Sequence, residues 1–227
     1  AKILYFAVGT SLLFAGAAFG QGVTFQKDGT ANVPAFELPP SALSSKEAQA
    51  QQAMRARMPV ALATSVEPDI ATRRAGLNVM MAPRVKRMQE LYPADIVDRL
   101  IGGVKTKVIT PKGKPHDKKR VLINLHGGAF SLCWDACALI ESLPIASLGG
   151  YKIVSVDYRM AQEHKHPAGV EDVAAVYREL LKTYKPKHIG IFGCSAGGAL
   201  TAQAASYLPA KGLPQAGAVG IFGAGAV

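Results

Sequence analysis

The chain has 227 residues, 49% of them hydrophobic and 19% charged, with a formal net charge of +10 at pH 7. This composition is too apolar for a disordered protein and supplies enough apolar side chains for a sizeable core. The densest basic run, residues 105–120, contains two prolines and one glycine and no aromatic residue on which a base could stack. It is predicted to be a solvated turn between strands, so we expect no nucleic-acid partner.

The first twenty residues follow the order of a secretory signal peptide. One lysine precedes an apolar run, and the small residues Ala18 and Gly20 stand just before Gln21. This order favours a cleaved signal over a membrane anchor, although the run is nearly long enough to span a bilayer. We predict a signal peptide at 1–20 and a secreted or periplasmic protein without stable membrane association after cleavage.

The next segments are predicted to form a linker and a helical cap. Residues 21–40 are rich in glycine, proline, threonine and asparagine, which is typical of a linker or extended arm. Residues 41–93 hold one helical pattern behind serine caps and a second one that we expect Gly76 and Pro83 to interrupt. Five of the six methionines fall here, which fits ordinary core packing and a substrate-facing cap equally well.

From residue 94 onward, strand patterns alternate with helix patterns. A pair of strands is predicted to meet at Gly102–Gly103. The apolar runs "RVLINL", "YKIVSV", "HIGIFG" and "AVGIF" predict buried strands, and alanine-rich or amphipathic segments lie between them. Strands that alternate with helices form a mostly parallel sheet flanked by helices. We therefore predict that residues 94–227 form an α/β core.

The run "GCSAGG" at 193–198 follows an apolar strand and precedes an alanine-rich helix. G-x-S-x-G in that context is typical of a nucleophile elbow, because its glycines permit a strained turn that lifts a serine above the sheet. Ser195 is therefore the predicted nucleophile, and the amide of Ala196 lies at the positive end of the following helix. The alternative is a tight turn whose serine caps that helix.

A second glycine motif, "HGGAF" at 126–130, follows the strand "RVLINL". Consecutive glycines let the backbone approach a substrate closely and aim several amides at one point. We predict that the amides of Gly127, Gly128 and Ala196 form an oxyanion hole, which would stabilise a tetrahedral intermediate. The alternative is a glycine turn that only ends a strand.

The stretches "HGGAF", "VSVDYRMAQEHKHPAGVEDV" and "GCSAGGAL" occur in the order and spacing of bacterial esterases that resemble hormone-sensitive lipase. The resemblance covers about residues 95–227 and implies an α/β-hydrolase fold with an N-terminal helical cap. It also implies that Ser195 hydrolyses short- to medium-chain carboxylic esters without metal or cofactor. Cys194 stands where an acidic residue is usual, Ala129 where a glycine is and Gln162 where a proline is. Cys194 is the departure that leaves the substrate class open.

The histidine that would activate Ser195 is missing from the pattern. The family order is serine, acid, histidine, and no histidine follows Ser195. The resemblance gives His126 an orienting role. His164 and His166 are the local candidates, and a purely structural loop is the favoured interpretation of both. We expect the acid and the histidine to lie beyond Val227, and the core to be incomplete at its C-terminus, where an apolar strand lacks a covering helix.

Three cysteines are present, Cys133, Cys137 and Cys194. An odd number does not indicate a disulfide framework, and no spacing with histidine matches a zinc site. They are predicted to be small buried residues and not metal ligands.

These patterns lead to one main functional hypothesis and two alternatives. The main hypothesis is a serine carboxylesterase that acts on a small-molecule ester through an acyl-enzyme. A lactone hydrolase or deacetylase would use the same site. A non-catalytic binding protein without a triad is the alternative from another class, and it requires the protein to end at Val227.

Overall fold

A computed structural model describes residues 23–35, 37–57, 69–113 and 115–225. The predicted signal peptide, residues 1–20, lies outside the described residues. The chain divides into two compact units, Ala1–Ser65 and Val66–Val227.

The described residues of the first unit form a short hairpin and one helix. Strands β1 (Thr24–Phe25) and β2 (Ala31–Asn32) pair antiparallel, so the predicted linker holds a small element of regular structure. Helix α1 (Lys46–Ala56) begins behind Ser45, whose hydroxyl accepts a hydrogen bond from the Ala48 amide at 3.2 Å. A serine cap satisfies an amide that has no partner inside the helix, as the sequence predicted.

The second unit contains the sheet and the remaining helices. Its elements in chain order are α2 (Ile70–Leu91), β3 (Ala94–Ile101), β4 (Val104–Pro111), β5 (Asp117–Leu125), α3 (Trp134–Gly149), β6 (Tyr151–Val156), α4 (Ala168–Leu180), β7 (Ile189–Cys194), α5 (Ala196–Ala210) and β8 (Ala218–Phe222). The sheet has the strand order β3-β4-β6-β5-β7-β8. Strands β6, β5, β7 and β8 are parallel, whereas β3 and β4 pair antiparallel with their neighbours. The predicted α/β fold is confirmed.

Apolar side chains cover the sheet on both faces. On one face, residues of α3 such as Leu143 pack with Ile109 and Ile153, and Val85 and Met88 of α2 pack against this cluster. On the other face, α4 and α5 cover alternate residues of the central strands. The central strand β5 is buried along its carboxyl half. The carboxyl ends of β5, β6 and β7 meet at one edge, where ligands bind in such sheets.

Two sequence predictions about local structure have different outcomes. The turn at Gly102–Gly103 is confirmed, since both residues have positive φ (60° and 81°) and join β3 to β4. The expected interruption of the second cap helix is wrong, because α2 runs through Gly76 and Pro83 as one helix of 22 residues. Asp69 caps the helix by accepting hydrogen bonds from two amides. The packing of α2 onto the core offsets the low helix propensity of Gly76 and Pro83.

The cysteine prediction is wrong in part, since Cys133 is buried as expected but is not a free thiol. Cys133 and Cys137 form a disulfide, and Cys194 is exposed and not buried. Cys133 has φ 76° and immediately precedes α3, so the two residues lie one helical turn apart with Cα atoms separated by 5.2 Å. An odd count says nothing about two cysteines that the first turn of α3 brings close together.

Within the ranges that the structure describes, no helix combines the length and the apolarity needed to cross a bilayer.

Candidate active site

Ser195 lies at a strained turn between β7 and α5. Its backbone has φ 55° and ψ −123°, outside the regions that residues with a side chain usually adopt, and its side chain is exposed. Its amide donates to the carbonyl oxygen of Phe222 at 2.9 Å, which ties the turn to β8. The Ser195 hydroxyl makes no capping hydrogen bond to α5, so the helix-cap alternative is wrong.

The two flanking glycines make the turn possible. A Cβ atom on Gly197 would lie 1.8 Å from the carbonyl oxygen of Leu125, at the end of β5. A Cβ on Gly193 would lie 2.4 Å from the carbonyl oxygen of Gly197 and 2.5 Å from that of Leu125. Backbone atoms cannot yield to a side chain without moving the elements themselves. The spacing of G-x-S-x-G therefore corresponds to a three-way backbone contact between β5, β7 and α5.

The glycine motif after β5 lies directly against Ser195. A Cβ on Gly127 would be 3.5 Å from the Cβ of Ser195. Gly128 has φ 117°, and a Cβ there would lie 2.1 Å from the carbonyl oxygen of Leu132. Its own carbonyl accepts from the amides of Ser131 and Leu132, at 3.0 and 2.9 Å. The motif is thus a tight turn built against Ser195, and it does more than end a strand.

The amide of Gly127 is already occupied in this turn. It donates to Oε1 of Glu141 at 2.9 Å, so the sequence-based assignment of this amide to an oxyanion hole is corrected. Among the described residues, the amides of Gly128 and Ala129 have no acceptor. The amide of Ala196 is the first of α5 and has no acceptor inside the helix. Gly128, Ala129 and Ala196 are the amides left to meet a developing negative charge.

Glu141 connects the turn to the interior of the sheet. Its Oε2 accepts from the side-chain amide of Asn124 at 2.9 Å, and Oδ1 of Asn124 accepts from the hydroxyl of Ser155 at 2.6 Å. Asn124 and Ser155 are fully buried on β5 and β6. Burial raises the pKa of Glu141, while the bonds from Asn124 and Gly127 oppose that rise. The sequence carried a signal for this residue, since Glu141 is the one charged residue between Asp135 and Lys152.

His126 contacts the same glycine turn from the protein interior. Its ring is fully buried, lies parallel to the ring of Tyr158 with centroids 4.4 Å apart, and places Nδ1 2.7 Å from the carbonyl oxygen of Gly127. Burial lowers the pKa of His126 to about 4, so the imidazole is neutral near pH 7 and Nδ1–H donates to that carbonyl. The hydroxyl of Tyr158 donates to the carbonyl oxygen of His126 at 2.8 Å. These contacts agree with the orienting role that the resemblance implied.

No described residue hydrogen-bonds to the hydroxyl of Ser195. His164 and His166 lie exposed on the loop after β6, where they line a cavity with Ala129. Arg74 of α2 binds Glu163 on this loop through two hydrogen bonds, which agrees with a structural role for the loop. The location of the catalytic acid and histidine beyond Val227 stays a prediction.

A cluster of charged side chains lies at the end of β6. Lys107 pairs with Asp98 at 3.2 Å and with Asp135 at 3.9 Å, and its ammonium lies 5.2 Å from the centroid of the Trp134 ring. Desolvation raises the pKa of the neighbouring Asp157 to about 6. In the described part of the chain, no group of histidine, cysteine, aspartate and glutamate side chains has the arrangement of a metal site.

In the full-length protein, for which the sequence predicts ester hydrolysis, replacing Glu141 by alanine is expected to lower kcat for p-nitrophenyl butyrate by about 10²-fold and to change KM less than threefold. The Gly127 amide would lose its hydrogen bond to Glu141, and the turn could then move. A shift of about 1 Å in a donor amide lowers the rate by about 10²-fold. Glu141→Gln keeps one acceptor oxygen, so its kcat should lie between those of the unsubstituted protein and Glu141→Ala. Glu179→Ala, which removes an exposed acid paired with Lys182, is the matched control. Steady-state kinetics would contradict this role if Glu141→Ala matched the control.

Comparison with known proteins places this geometry among hydrolases. Residues 122–225 match a family model described as an alpha/beta hydrolase fold. The chain is 29% identical to the versiconal hemiacetal acetate esterase of Emericella nidulans, over 51% of this chain and 40% of the relative. It is 31% identical to the arylacetamide deacetylase of Oryctolagus cuniculus, over 50% of this chain and 31% of the relative.

The chain is also similar to a hydrolase of known structure. A crystal structure of an esterase from the bacterial hormone-sensitive lipase family matches with a TM-score of 0.59 and 28% identity. The match covers 68% of this chain and 50% of that one. The chain thus spans about half, or less, of the length of the relatives and the structure that it matches.

Proposed function

Since the chain belongs to the α/β-hydrolase superfamily and is similar to hormone-sensitive-lipase-like bacterial esterases, we propose that it hydrolyses carboxylic esters at Ser195. The observation that carries the proposal is the exposed hydroxyl of Ser195 at its strained turn. The next two residues of the turn that packs against Ser195 are Gly128 and Ala129, and their amides have no acceptor among the described residues. Acyl transfer requires an exposed nucleophile with unpaired hydrogen-bond donors close to it.

The proposed reaction has two halves. The hydroxyl oxygen of Ser195 attacks the ester carbonyl carbon, and its proton passes to a base. The carbonyl oxygen becomes negative and accepts hydrogen bonds from the amides of Gly128, Ala129 and Ala196. The alcohol then leaves with a proton, and water hydrolyses the acyl-enzyme to release the carboxylic acid. Neither half needs a metal or a cofactor in this scheme.

The substrates that we propose are esters of short- to medium-chain acids. The support is the resemblance to bacterial esterases and the modest cavity of about 260 Å³ beside the turn, which is lined mostly by apolar groups. Deacetylation at the same serine is a second candidate, favoured by the match to a protein named arylacetamide deacetylase. Lactone hydrolysis would pass through the same acyl-enzyme. All three reactions depend on Ser195.

A fluorophosphonate probe tests whether the serine is reactive. We expect the probe to form a covalent adduct on Ser195 in the purified full-length protein, because such probes trap serines that a base activates for acyl transfer. Mass spectrometry of the digested protein locates the adduct. Denatured protein is the control and should not react. A folded protein that binds esters but stays unlabelled would favour the non-catalytic alternative.

We further propose that the protein is exported. The order of residues in the first twenty positions supports a cleaved signal. The bond between Cys133 and Cys137 supports an oxidising compartment, because cytosolic thiols are usually kept reduced. N-terminal sequencing of protein recovered from outside the cytoplasm should begin at or near Gln21. Exported protein that still begins at Ala1 would contradict cleavage, and retention in membranes would favour an anchor.

A further inference from the structure

The cavity beside the oxyanion turn combines an apolar floor with a cationic rim. Ala129 and Phe130 of the turn, Tyr158 and Leu200 form apolar parts of its wall. Ala129 belongs both to the cavity and to the set of amides proposed to bind the oxyanion. Leu200 is five residues after Ser195 on α5, which is a rise of about 7.5 Å. A group bound in this cavity is therefore within a short chain of the ester carbon.

The rim of the cavity carries positive charge and no described acid. Lys165 lies on it between His164 and His166, and all three side chains are exposed. Among the described residues that line the cavity, none has a carboxylate. An unbalanced cation at the mouth of a site attracts anionic ligands and raises their local concentration.

The other charged groups of this loop are already paired. Arg159, which also lines the cavity, donates through Nε to Asp172 at 2.9 Å and through a terminal nitrogen to Glu171 at 3.2 Å. Glu163, the acid next to the rim, is held by Arg74 and does not line the cavity. Lys165 has no ion pair among the described residues. Lys165 is thus the cation left for a ligand.

A polar group inside the cavity lacks a partner as well. Gln203 is partly buried on α5, and its side-chain amide makes no hydrogen bond to any described residue. An amide can donate to a carboxylate oxygen, and the imidazoles of His164 and His166 offer further donors. The wall therefore holds several donors and one unpaired ammonium above an apolar floor.

We propose that this cavity binds a carboxylate at the far end of the substrate, so that the preferred esters are half-esters of short dicarboxylic acids or similar anionic esters. This inference rests on the proposed function, since it assigns a substrate class to the same serine. The methylene groups would pack on Phe130 and Leu200, and the carboxylate would meet Lys165 and the amide of Gln203.

A matched pair of esters tests the proposal. Monoethyl adipate and ethyl hexanoate have acyl chains of equal length and differ in the terminal carboxylate. We expect a higher kcat/KM for monoethyl adipate, and a preference that falls in 1 M NaCl because salt screens the attraction. A second pair, 4-acetoxybutyrate and butyl acetate, places the carboxylate on the alcohol side. The pair with the larger preference identifies the half of the ester that the cavity holds.

Substitution of Lys165 supplies the control within the protein. Lys165→Glu should lower the ratio of kcat/KM for the anionic ester over the neutral one by about fivefold, the size expected for reversing one solvent-exposed charge. Lys112→Glu makes the same charge change at the opposite edge of the sheet and should leave the ratio unaltered. Equal kcat/KM for both members of both pairs, or an equal effect of the two variants, would overturn the proposal. Hydrolysis of neither ester would instead count against the proposed function.

Discussion

Replacing Ser195 by alanine is expected to remove nearly all hydrolysis of p-nitrophenyl butyrate by the purified full-length protein, which would include the predicted acid and histidine. Loss of a serine nucleophile lowers kcat by about 10⁶-fold, since no acyl-enzyme can form. A residual rate above that of water is expected, because the amides of Gly128, Ala129 and Ala196 would still stabilise the oxyanion when water attacks. Initial rates measured over a range of enzyme concentrations distinguish this residual activity from uncatalysed hydrolysis.

The matched control is Ser206→Ala on the same helix. The hydroxyl of Ser206 donates only to carbonyl oxygens of its own helix, at 3.1 and 3.5 Å, so its removal should change neither rate nor stability measurably. Both variants should unfold at the temperature of the unsubstituted protein, because alanine keeps the Cβ atom of serine and the backbone of Ser195 retains its conformation. Activity of Ser195→Ala within tenfold of the control would remove Ser195 from the proposed role.

The sequence predicted those parts of the fold that depend on local patterns. Period and apolarity located β5, β7 and the helices, since both faces of a parallel sheet must be apolar. The elbow was predictable because only glycine permits the approach of α5 to Leu125, and the motif therefore records a steric requirement. The hairpin at Gly102–Gly103 was predictable because both turn residues need positive φ.

The partners of buried polar groups were not predictable in the same way. The amide of Gly127 was expected to face the substrate, but it is bound to Glu141, 14 residues later. Which amide of a glycine turn points outward depends on the rotation of each peptide plane, and here Glu141 and His126 set that rotation together. The disulfide between Cys133 and Cys137 was missed because pairing depends on where α3 begins.

Helix α2 shows how tertiary contacts override local propensity. Gly76 and Pro83 each disfavour a helix, and from the sequence an interruption was expected. In the structure, Val85 and Met88 pack on the core. Arg74 donates to the carbonyl oxygen of Ser131 in the loop after β5, and Asn78 donates to Asp135 in the first turn of α3. These contacts lie before Gly76, between the two residues and after Pro83. All of them can form together only if the helix is continuous.

Replacing Gly197 by alanine is expected to cause the largest loss of stability of any glycine substitution near the site. The new Cβ would lie 1.8 Å from the carbonyl oxygen of Leu125 and 2.7 Å from that of His126. Both are backbone atoms of the central strand and its turn, so α5 would have to move away from the sheet. We expect the free energy of unfolding to fall by about 3 kcal/mol, the upper end of the cost of overpacking. Activity should fall with it, since the same movement displaces Ser195 from the oxyanion amides.

Gly76→Ala is the control that separates steric contact from the mere removal of a glycine. A Cβ on Gly76 meets nothing within 4 Å, and the residue lies in the exposed middle of α2. There alanine should raise the free energy of unfolding by up to about 1 kcal/mol, because glycine loses more backbone entropy in a helix. Chemical denaturation of both variants, followed by circular dichroism, should therefore give shifts of opposite sign. If Gly197→Ala unfolded at the same denaturant concentration as Gly76→Ala, the close approach of α5 to β5 would not be what positions the nucleophile.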